Sequence, residues 1–302
     1  MKTLLALINR NSKLFFKDKG MFFSSLITPV ILLVLYATFL SNVYRDSFLM
    51  AIPSGAPVPP KDVIDAFVGG QLMSSLLAVS CVTVSFCSNM LMVQDKISGA
   101  HKDFLITPVK RSALALGYYI STTLSTLIIC VIALGACLIY MSVVGWCLSG
   151  VDVLLLLLDI FILTSFGTAL SSVINFFLSS QGQISAVGSI VSSCYGFICG
   201  AYMPLSSFSE GLRNAVMFLP GTYGTSLLRN HALAGVLKEM QNYLPENIIS
   251  AIKDSVDCNL YFFGEKVGLL ACFAITCLSV VVLISAYILI NILANRKTEK
   301  KR

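Results

Sequence analysis

The chain has 302 residues, of which 56% are hydrophobic and only 12% are charged. About a quarter of the residues in a soluble domain are charged, so this composition excludes an ordinary soluble protein and indicates a polytopic membrane protein. The net charge is +6, and the Lys and Arg residues are distributed unevenly along the chain. This distribution indicates membrane topology rather than nucleic-acid binding.

The N-terminal segment, residues 1–20, interleaves basic and apolar side chains. This pattern predicts an amphipathic interfacial helix on the cytoplasmic membrane surface, with its basic side toward lipid phosphates. A signal peptide is the alternative. It is disfavoured because the apolar run that follows is long and no small-residue cleavage site ends it.

Six apolar runs follow, each near the ~20 residues that a helix needs to cross a bilayer. They lie at about 22–41, 70–93, 114–141, 152–178, 184–203 and 267–292. Pro29 lies inside the first run and predicts a kink there. The predicted fold class is therefore all-α, with six transmembrane helices in a single transmembrane domain that covers residues 1–302.

The basic residues predict the orientation of these helices. Fourteen of the 21 Lys and Arg residues lie in the N-terminal segment, the loop at 94–113 and the tail at 293–302. The other seven lie in the two long segments at 42–69 and 204–266. Because basic residues concentrate in cytoplasmic loops, we expect both termini inside the cell, in the plasma or inner membrane.

The loop at 94–113 is polar and basic between long apolar runs. Its residues 97–106 predict a short helix, which Pro108 would end because proline disfavours helical backbone at the preceding residue. A short, exposed, basic helix between two spans suits docking onto a cytoplasmic partner. A solvated connecting loop is the alternative interpretation.

The external segments differ in character. The first carries a Pro-rich stretch at 53–60, which predicts an extended piece without helix. The last, 204–266, has two short apolar stretches at 208–219 and 223–240, separated by Pro220 and Gly221. This pattern predicts two short helices that form a re-entrant or surface-lying hairpin in the outer leaflet. Because backbone at membrane depth must be hydrogen-bonded, we expect the hairpin to pack against the bundle.

The fifth apolar run carries a stripe of small residues spaced four apart. These are Gly188, Ser192, Gly196 and Gly200. A second stripe beside it consists of Ser185, Ser189 and Ser193. Small residues at this spacing let helices approach closely, across a dimer seam or along a transport route, and ordinary helix packing is the alternative.

Asp159 is the only acidic residue well inside a predicted span, with Asp152 seven residues earlier near the membrane edge. An intramembrane carboxylate is a functional candidate, and it makes an ion-coupled secondary transporter the alternative function. The other interpretation is an acid roughly 10 Å below the surface that reaches a polar neighbour or stays protonated. No Lys or Arg lies deep in another span to pair with it.

Sites for catalysis, cofactors and metals are not predicted. His101 and His231 are the only histidines, and the layout puts them on opposite sides of the membrane. There is no H-E-x-x-H, G-x-S-x-G or P-loop pattern, which disfavours a membrane-embedded enzyme and an ATP site in this chain. The ten cysteines lie mostly in apolar runs, where they behave as small hydrophobes; a disulfide between Cys147 and Cys258 is an open alternative.

Two motifs stand out in these loops. The first begins with an acid and a base and continues through a glycine and a leucine to T-P-hydrophobic-basic. Its positions are Asp95, Lys96, Gly99, Leu105, Thr107, Pro108, Val109 and Arg111. The second is G-A-Y-M-P-L at 200–205 followed by L-P-G-T-Y at 219–223, which includes Pro204, Pro220 and Gly221.

In their order and spacing these motifs resemble those of the permease subunits of ABC exporters of the ABC-2 type, over nearly the whole chain. Ala100 and Lys102 stand where that family usually has Thr and Glu. The resemblance implies a half-transporter, in which two six-span subunits, identical or homologous, form the route above two separate ATPase subunits. ATP and Mg would be bound by the ATPase, and none by this chain.

The resemblance also implies roles for particular residues. Residues 97–106 would be the coupling helix seated in the ATPase, and the first, second and fifth spans would line the route. The coupling set is Asp95, Lys96, Gly99, His101, Phe104, Leu105, Thr107 and Pro108. The weakly charged, Ser- and Gly-rich lining favours a hydrophobic or amphipathic cargo such as a drug, an antimicrobial peptide or a lipid-linked molecule.

Overall fold

The computed structural model describes residues 2–52, 57–107 and 109–299, without the side chains of Ala37, Ser47, Ala51, Leu105 and 294–299. Its helices are α1 (Lys2–Lys17), α2 (Lys19–Leu35), α3 (Ser41–Ala51), α4 (Lys61–Ser88), α5 (Met90–Ile97), α6 (Ala100–Ile106), α7 (Arg111–Val144), α8 (Gly150–Phe176), α9 (Gln181–Ile198), α10 (Glu210–Val216), α11 (Pro220–Met240), α12 (Glu246–Ser255) and α13 (Leu269–Glu299). A π-helical turn at Tyr36–Leu40 joins α2 to α3, and a 3₁₀ turn at Leu205–Ser207 precedes α10.

The predicted all-α polytopic class is confirmed. Within the described ranges, five helical segments are long and apolar enough to cross a membrane: Lys19–Met50, Lys61–Ile97, Arg111–Val144, Gly150–Phe176 and Leu269–Leu293. The predicted run at 184–203 folds as α9, whose 18 residues begin with Gln181 and Gln183 and fall outside that set. The count of six spans therefore stays a prediction.

Helix α4 is the central helix, and nearly all of its residues are buried, including polar ones such as Gln71 and Ser80. Two glycines let its neighbours approach closely. A Cβ at Gly70 would lie 2.9 Å from the carbonyl oxygen of Ala232 in α11. A Cβ at Gly167 of α8 would lie 3.0 Å from the carbonyl oxygen of Cys81. Close backbone contact therefore joins α4 to both α8 and α11.

The external loop predicted at 42–69 is too long, because α3 continues to Ala51 and α4 already begins at Lys61. Helix α3 continues the first span, and its Phe48 stacks on Phe67 of α4 with ring centroids 4.9 Å apart. Residues 57–60 are extended, and the rest of the Pro-rich stretch, 53–56, lies outside the described residues. Pro29 lies within α2, and the irregularity that follows it is the π-helical turn.

Helix α1 occupies the predicted N-terminal segment, and its buried face lies against α7; its position at the membrane surface stays a prediction. Leu7, Asn11 and Phe15 form that face, and Leu7 lies close enough to Gly117 that a Cβ there would be 3.1 Å away. Leu5 remains 62% exposed, so α1 also has apolar surface that the rest of the bundle does not cover. We call the end of the bundle that carries α1, α5 and α6 the basic end.

The opposite end, here the distal end, is covered by α10, α11, α12 and a β-hairpin. The stretches on either side of Pro220 form α10 and α11, and Pro220 is the first residue of α11, where its missing N–H costs nothing. That they make a re-entrant hairpin stays a prediction. The hairpin of β1 (Leu260–Phe262) and β2 (Glu265–Val267) was not predicted. Phe263 and Gly264 form its tight turn in the left-handed region, at φ 49° and 88°.

All ten cysteines are free, so the alternative of a disulfide between Cys147 and Cys258 is wrong. Cys258 is buried in an apolar cluster at the distal end, and Cys147 packs against the same cluster. Burial raises the pKa of the Cys258 thiol to about 12, so that this side chain behaves as a small neutral hydrophobe.

Candidate functional site

The first predicted coupling residue, Asp95, is the centre of a hydrogen-bonded cluster at the basic end. Its side chain lies on α5 and is 5% exposed. Arg10 of α1 donates to its two carboxylate oxygens at 2.6 and 3.0 Å, and the Tyr118 hydroxyl of α7 donates at 2.6 Å. The hydrogen bond to Asp95 raises the pKa of Arg10. This cluster ties α1, α5 and α7 together.

The next residue, Lys96, anchors α5 to a different helix. Its ammonium group donates to the carbonyl oxygens of Asn175, Phe176 and Leu178, at 3.1, 2.6 and 3.3 Å. Asn175 and Phe176 lie in the last turn of α8 and Leu178 lies two residues beyond it, where carbonyls lack a following helical turn as donor and where the helix dipole favours a cation. The adjacent residues Asp95 and Lys96 therefore connect α5 to α1 and α7 on one side and to α8 on the other.

Gly99 separates the two helices of this loop. The short helix predicted over 97–106 is found as α6, but it begins three residues later, at Ala100, because α5 ends at Ile97 and the chain reverses at Gly99. Gly99 adopts φ 87°, the left-handed region that glycine enters without the steric cost of a Cβ. The reversal sets the direction of α6, and Thr107 closes it by donating from its hydroxyl to the Phe104 carbonyl at 2.7 Å.

Helix α6 has an inward and an outward side. Phe104 is half-buried in an apolar cluster of the bundle, and the Arg10 guanidinium lies 5.0 Å from its ring centroid. Ile106 is 83% exposed, and Lys102 and Asp103 are exposed beside it. The surface available to a partner is therefore Lys102, Asp103 and Ile106 rather than Phe104. Pro108 and the side chain of Leu105 lie outside the described residues.

His101 is half-buried, and its Nδ1 has no hydrogen-bond partner among the described residues. Burial lowers the pKa of the imidazole, and the charges of Lys96 and Arg111 lower it further. Because the ordinary pKa of histidine is about 6.5, His101 is neutral at pH 7. It adds no positive charge to the basic end.

The small-residue stripe of α9 mostly faces its own chain. Gly196 lies beneath the ring of Tyr202, Gly188 contacts Met90, and Gly200 turns the chain at φ 73°; Ser192 is half-buried. The neighbouring stripe of Ser185, Ser189 and Ser193 is exposed. Within this chain the first stripe serves helix packing, and the serine stripe is the face of α9 that is open to other molecules.

Asp159 has a hydrogen-bonding partner that the sequence did not predict. The His231 Nδ1 of α11 lies 2.5 Å from its Oδ2, while its Oδ1 is buried without a partner among the described residues. The partner is neither Lys nor Arg but a histidine, which reaches Asp159 because α11 enters the bundle beside α8; this agrees with the interpretation of an acid that reaches a polar neighbour. Asp152 has a local role instead, since it forms a capping box with Ser149 at the start of α8.

A second buried ion pair, also missed, joins the elements of the distal end. Arg229 of α11 is 2% exposed. Its guanidinium donates to Asp257 at 3.3 Å, and also to Ser75 and the Gly200 carbonyl at 3.1 and 3.0 Å. Asp257 accepts from the Leu205 N–H at 2.9 Å, just after Pro204. Burial raises the pKa of Asp257 to about 6.

The missed residues carried detectable signals. Arg229 directly follows the apolar residues Leu227 and Leu228 in α11, and a cation buried beside such residues needs an internal partner. Arg10 stands three residues after Leu7, which places both on one face of α1. Pairing them with Asp257 and Asp95 required the tertiary arrangement.

The sequence profile of one protein family, described as ABC-2 type transporter, matches residues 2–232. The match covers well over half of the chain and includes the cluster around Asp95, the helix α6 and most of α11. A search among curated proteins gives no match.

Proposed function

The chain belongs to the ABC-2 type transporter family, and on this premise we propose that it is the membrane-spanning half of an ATP-driven exporter. Permeases of this family have no ATPase domain of their own and normally work with ABC ATPase subunits. In our proposal two such subunits bind ATP and Mg, and a second copy or a homologous permease completes the route. The complex lies in the plasma or inner membrane, with both termini of this chain in the cytoplasm.

The observation that carries this proposal is the anchoring of α5 by Asp95 and Lys96. Helix α6 exposes Lys102, Asp103 and Ile106, a mixed apolar and charged surface that suits a groove on a soluble subunit. A displacement of α6 reaches α5 across Gly99. From α5 it passes through Asp95 to α1 and α7 and through Lys96 to α8, because charge-assisted hydrogen bonds resist stretching.

In this mechanism closure of the ATPase dimer on ATP pushes α6, and the bundle switches from inward-open to outward-open. The cargo is hydrophobic or amphipathic. Support comes from α9, which has no charged residue and exposes the stripe of Ser185, Ser189 and Ser193. Lipid-soluble molecules require no charged partner along such a face.

The test replaces Ile106, because its side chain is 83% exposed and contributes little to the fold. We expect Ile106→Asp to insert and fold normally, while ATPase stimulation by cargo and ATP-driven transport are lost. Phe263→Asp is the matched control, since Phe263 is a 63% exposed apolar residue at the distal end. Phe104→Asp is less informative because it also disrupts the contact with Arg10. Normal coupling in Ile106→Asp would refute docking through this side of α6.

A second candidate function, ion-coupled transport at Asp159, is favoured by one observation. The carboxylate is buried and pairs with His231, while its Oδ1 has no partner within the described part of the chain, as expected of an ion- or proton-carrying group. Family membership favours the ATP-driven exporter. The two functions differ in whether transport requires an ATPase subunit or an intact Asp159.

A further inference from the structure

A cavity of about 330 Å³ opens at the distal end, between α10, the C-terminal end of α12 and the β-hairpin. This volume lies at the lower end of the roughly 300–1,000 Å³ of small-molecule sites. Its walls combine charged, amide and aromatic side chains, among them those of Glu210, Arg213, Asn214, Asp254, Asp257 and Tyr261. A cavity of this size and composition suits a small charged group.

Two opposite charges line this cavity without neutralising each other. Arg213 of α10 is half-buried, and within the described ranges its guanidinium makes no hydrogen bond and no ion pair. The Oδ1 atom of Asp254 accepts from the Asn259 amide at 2.6 Å and from the Tyr261 hydroxyl at 3.1 Å. Its Oδ2 atom has no partner in the part of the chain that the structure describes. Both charges are therefore free to bind a ligand, whereas Asp257 is already paired with a buried arginine.

The ligand that satisfies both groups carries a negative and a positive charge of its own. A guanidinium binds phosphate in a two-pronged geometry, and Asn214 lies next to Arg213 in the same wall. An ammonium group suits the free oxygen of Asp254, and the Tyr261 ring beside it offers an aromatic face to a cation. A purely anionic ligand would meet Asp254 and Glu210 without a counter-charge, and a purely cationic one would leave Arg213 unpaired. The wall therefore favours a zwitterion.

Exposed aromatic side chains border the cavity. Phe263 lines it, and Phe218 lies against Phe263 with the ring centroids 6.3 Å apart. These two rings are 63% and 66% exposed. The last membrane-spanning segment begins at Leu269, two residues after the β-hairpin ends. Because aromatic side chains concentrate where a span meets the membrane–water interface, the cavity lies at the depth of the lipid headgroups.

We propose that this cavity binds the zwitterionic headgroup of a phospholipid. Arg213 holds the phosphate, Asp254 holds the ammonium group, and the acyl chains pass Phe218 and Phe263 into the bilayer. A soluble zwitterion such as an amino acid offers the same two charges, but it would leave the two exposed rings uncovered. Headgroup binding goes beyond the proposed function, because it requires neither an ATPase subunit nor a direction of transport.

The test is native mass spectrometry of the full chain, purified in mild detergent and titrated with three lipids that share the same acyl chains. Phosphatidylethanolamine carries both charges, phosphatidylglycerol carries only the phosphate, and a trimethylammonium-propane lipid carries only the cation. We expect phosphatidylethanolamine to bind at least about tenfold more tightly than either of the others, since each of them loses one charge-assisted contact. Equal affinity for phosphatidylethanolamine and phosphatidylglycerol would overturn the proposal. Glycerophosphoethanolamine, the headgroup without acyl chains, should bind much more weakly, and an affinity equal to that of the lipid would overturn the assignment to a lipid.

Two variants remove the two contacts separately. Arg213→Gln should weaken binding of phosphatidylethanolamine about tenfold. Asp254→Asn keeps the oxygen that accepts from Asn259 and Tyr261, and it should abolish the preference for phosphatidylethanolamine over phosphatidylglycerol.

The matched controls are Lys238→Gln and Glu239→Gln, which alter adjacent exposed residues of α11 outside this cavity; both should bind like the unaltered chain. Unchanged binding in a folded Arg213→Gln variant would overturn the proposal. If that variant does not fold, Ser206→Trp blocks the cavity from an exposed position on its wall, and unchanged binding there would overturn it equally.

The failure of this site and the failure of the proposed function give different results. A chain that prefers phosphatidylethanolamine but purifies without any ATPase subunit would refute the exporter and leave the headgroup site intact. A chain that couples ATP hydrolysis to transport but binds the three lipids equally would refute the headgroup site alone.

Discussion

The contact between Arg10 and Asp95 yields the sharpest energetic prediction. Arg10→Ala would leave the carboxylate of Asp95, which is 5% exposed, with the Tyr118 hydroxyl as its remaining donor in the cluster. Breaking a fully buried pair costs about 3–5 kcal/mol. The Arg10 side chain is 32% exposed, so water can reach the vacated space. We therefore expect a loss of roughly 2–3 kcal/mol in the free energy of unfolding, less than the full buried-pair penalty.

The assay is a double-mutant cycle in mixed micelles, where unfolding by SDS gives free energies. Arg10→Ala, Asp95→Asn and the double variant are compared. Because the two residues share one hydrogen-bonded cluster, we expect an interaction energy of about 1–2 kcal/mol. Arg10→Lys is the control, since it keeps the charge but loses the two-pronged geometry, and it should recover part of the stability.

Additivity of the two single variants to within about 0.5 kcal/mol would refute the reasoning. The same variants bear on coupling. If Asp95 transmits the movement of α6 to α1, the double variant should lower ATP-driven transport more than its remaining stability explains. Full transport in a folded double variant would show that the contact is structural only.

Three further predictions concern other parts of the bundle. Burial raises the pKa of Asp257 to about 6, so the folded state binds this proton more tightly than the unfolded state. The contribution of Asp257 to the free energy of unfolding is therefore fully present below about pH 4 and is lost as the pH rises through 6. The protection factors of α12, which are corrected for the pH dependence of intrinsic hydrogen exchange, should therefore be higher at pH 5 than at pH 7.5, and Asp257→Asn should abolish that difference. Gly70→Ala should destabilise the protein by about 1–3 kcal/mol, because the new Cβ clashes with α11. Gly135→Ala, where a Cβ meets nothing within 4 Å, should stabilise it by up to about 1 kcal/mol. Equal effects of the two variants in thermal unfolding would contradict the close contact of α4 and α11. Asp159→Asn should leave ATP-driven transport in place, whereas abolished transport in a stable, correctly inserted variant would favour the ion-coupled transporter.

The sequence predicts the helices better than it predicts their partners. Periodicity and run length placed α7, α8 and α13 close to their observed bounds, because a helix in lipid must be apolar over its whole length. The β-hairpin at 260–267 escaped prediction, since its two strands are each three residues long. The predicted start of the short helix at 97 was three residues too early, because the single left-handed residue Gly99 leaves no mark on hydrophobic periodicity.

The candidate site was predicted as a list of residues along one loop, and the structure distributes their roles. Asp95 and Lys96 lie in the predicted loop, but their partners Arg10 and Asn175 lie 85 and 79 residues away in the chain. Such pairs are set by how helices cross, which no local pattern contains. The same holds for Asp159 and His231, placed on different elements and joined only because α11 enters the bundle.

The most direct test of the central claim is the composition of the complex in native membranes. The tagged chain is purified in mild detergent and measured by quantitative mass spectrometry and an ATPase assay, with Ile106→Asp in parallel. We predict a stoichiometric ATP-binding subunit and ATPase activity with the unaltered chain, and loss of both with the variant. A chain that purifies without any ATPase subunit, and still transports on an ion gradient alone, would contradict the account.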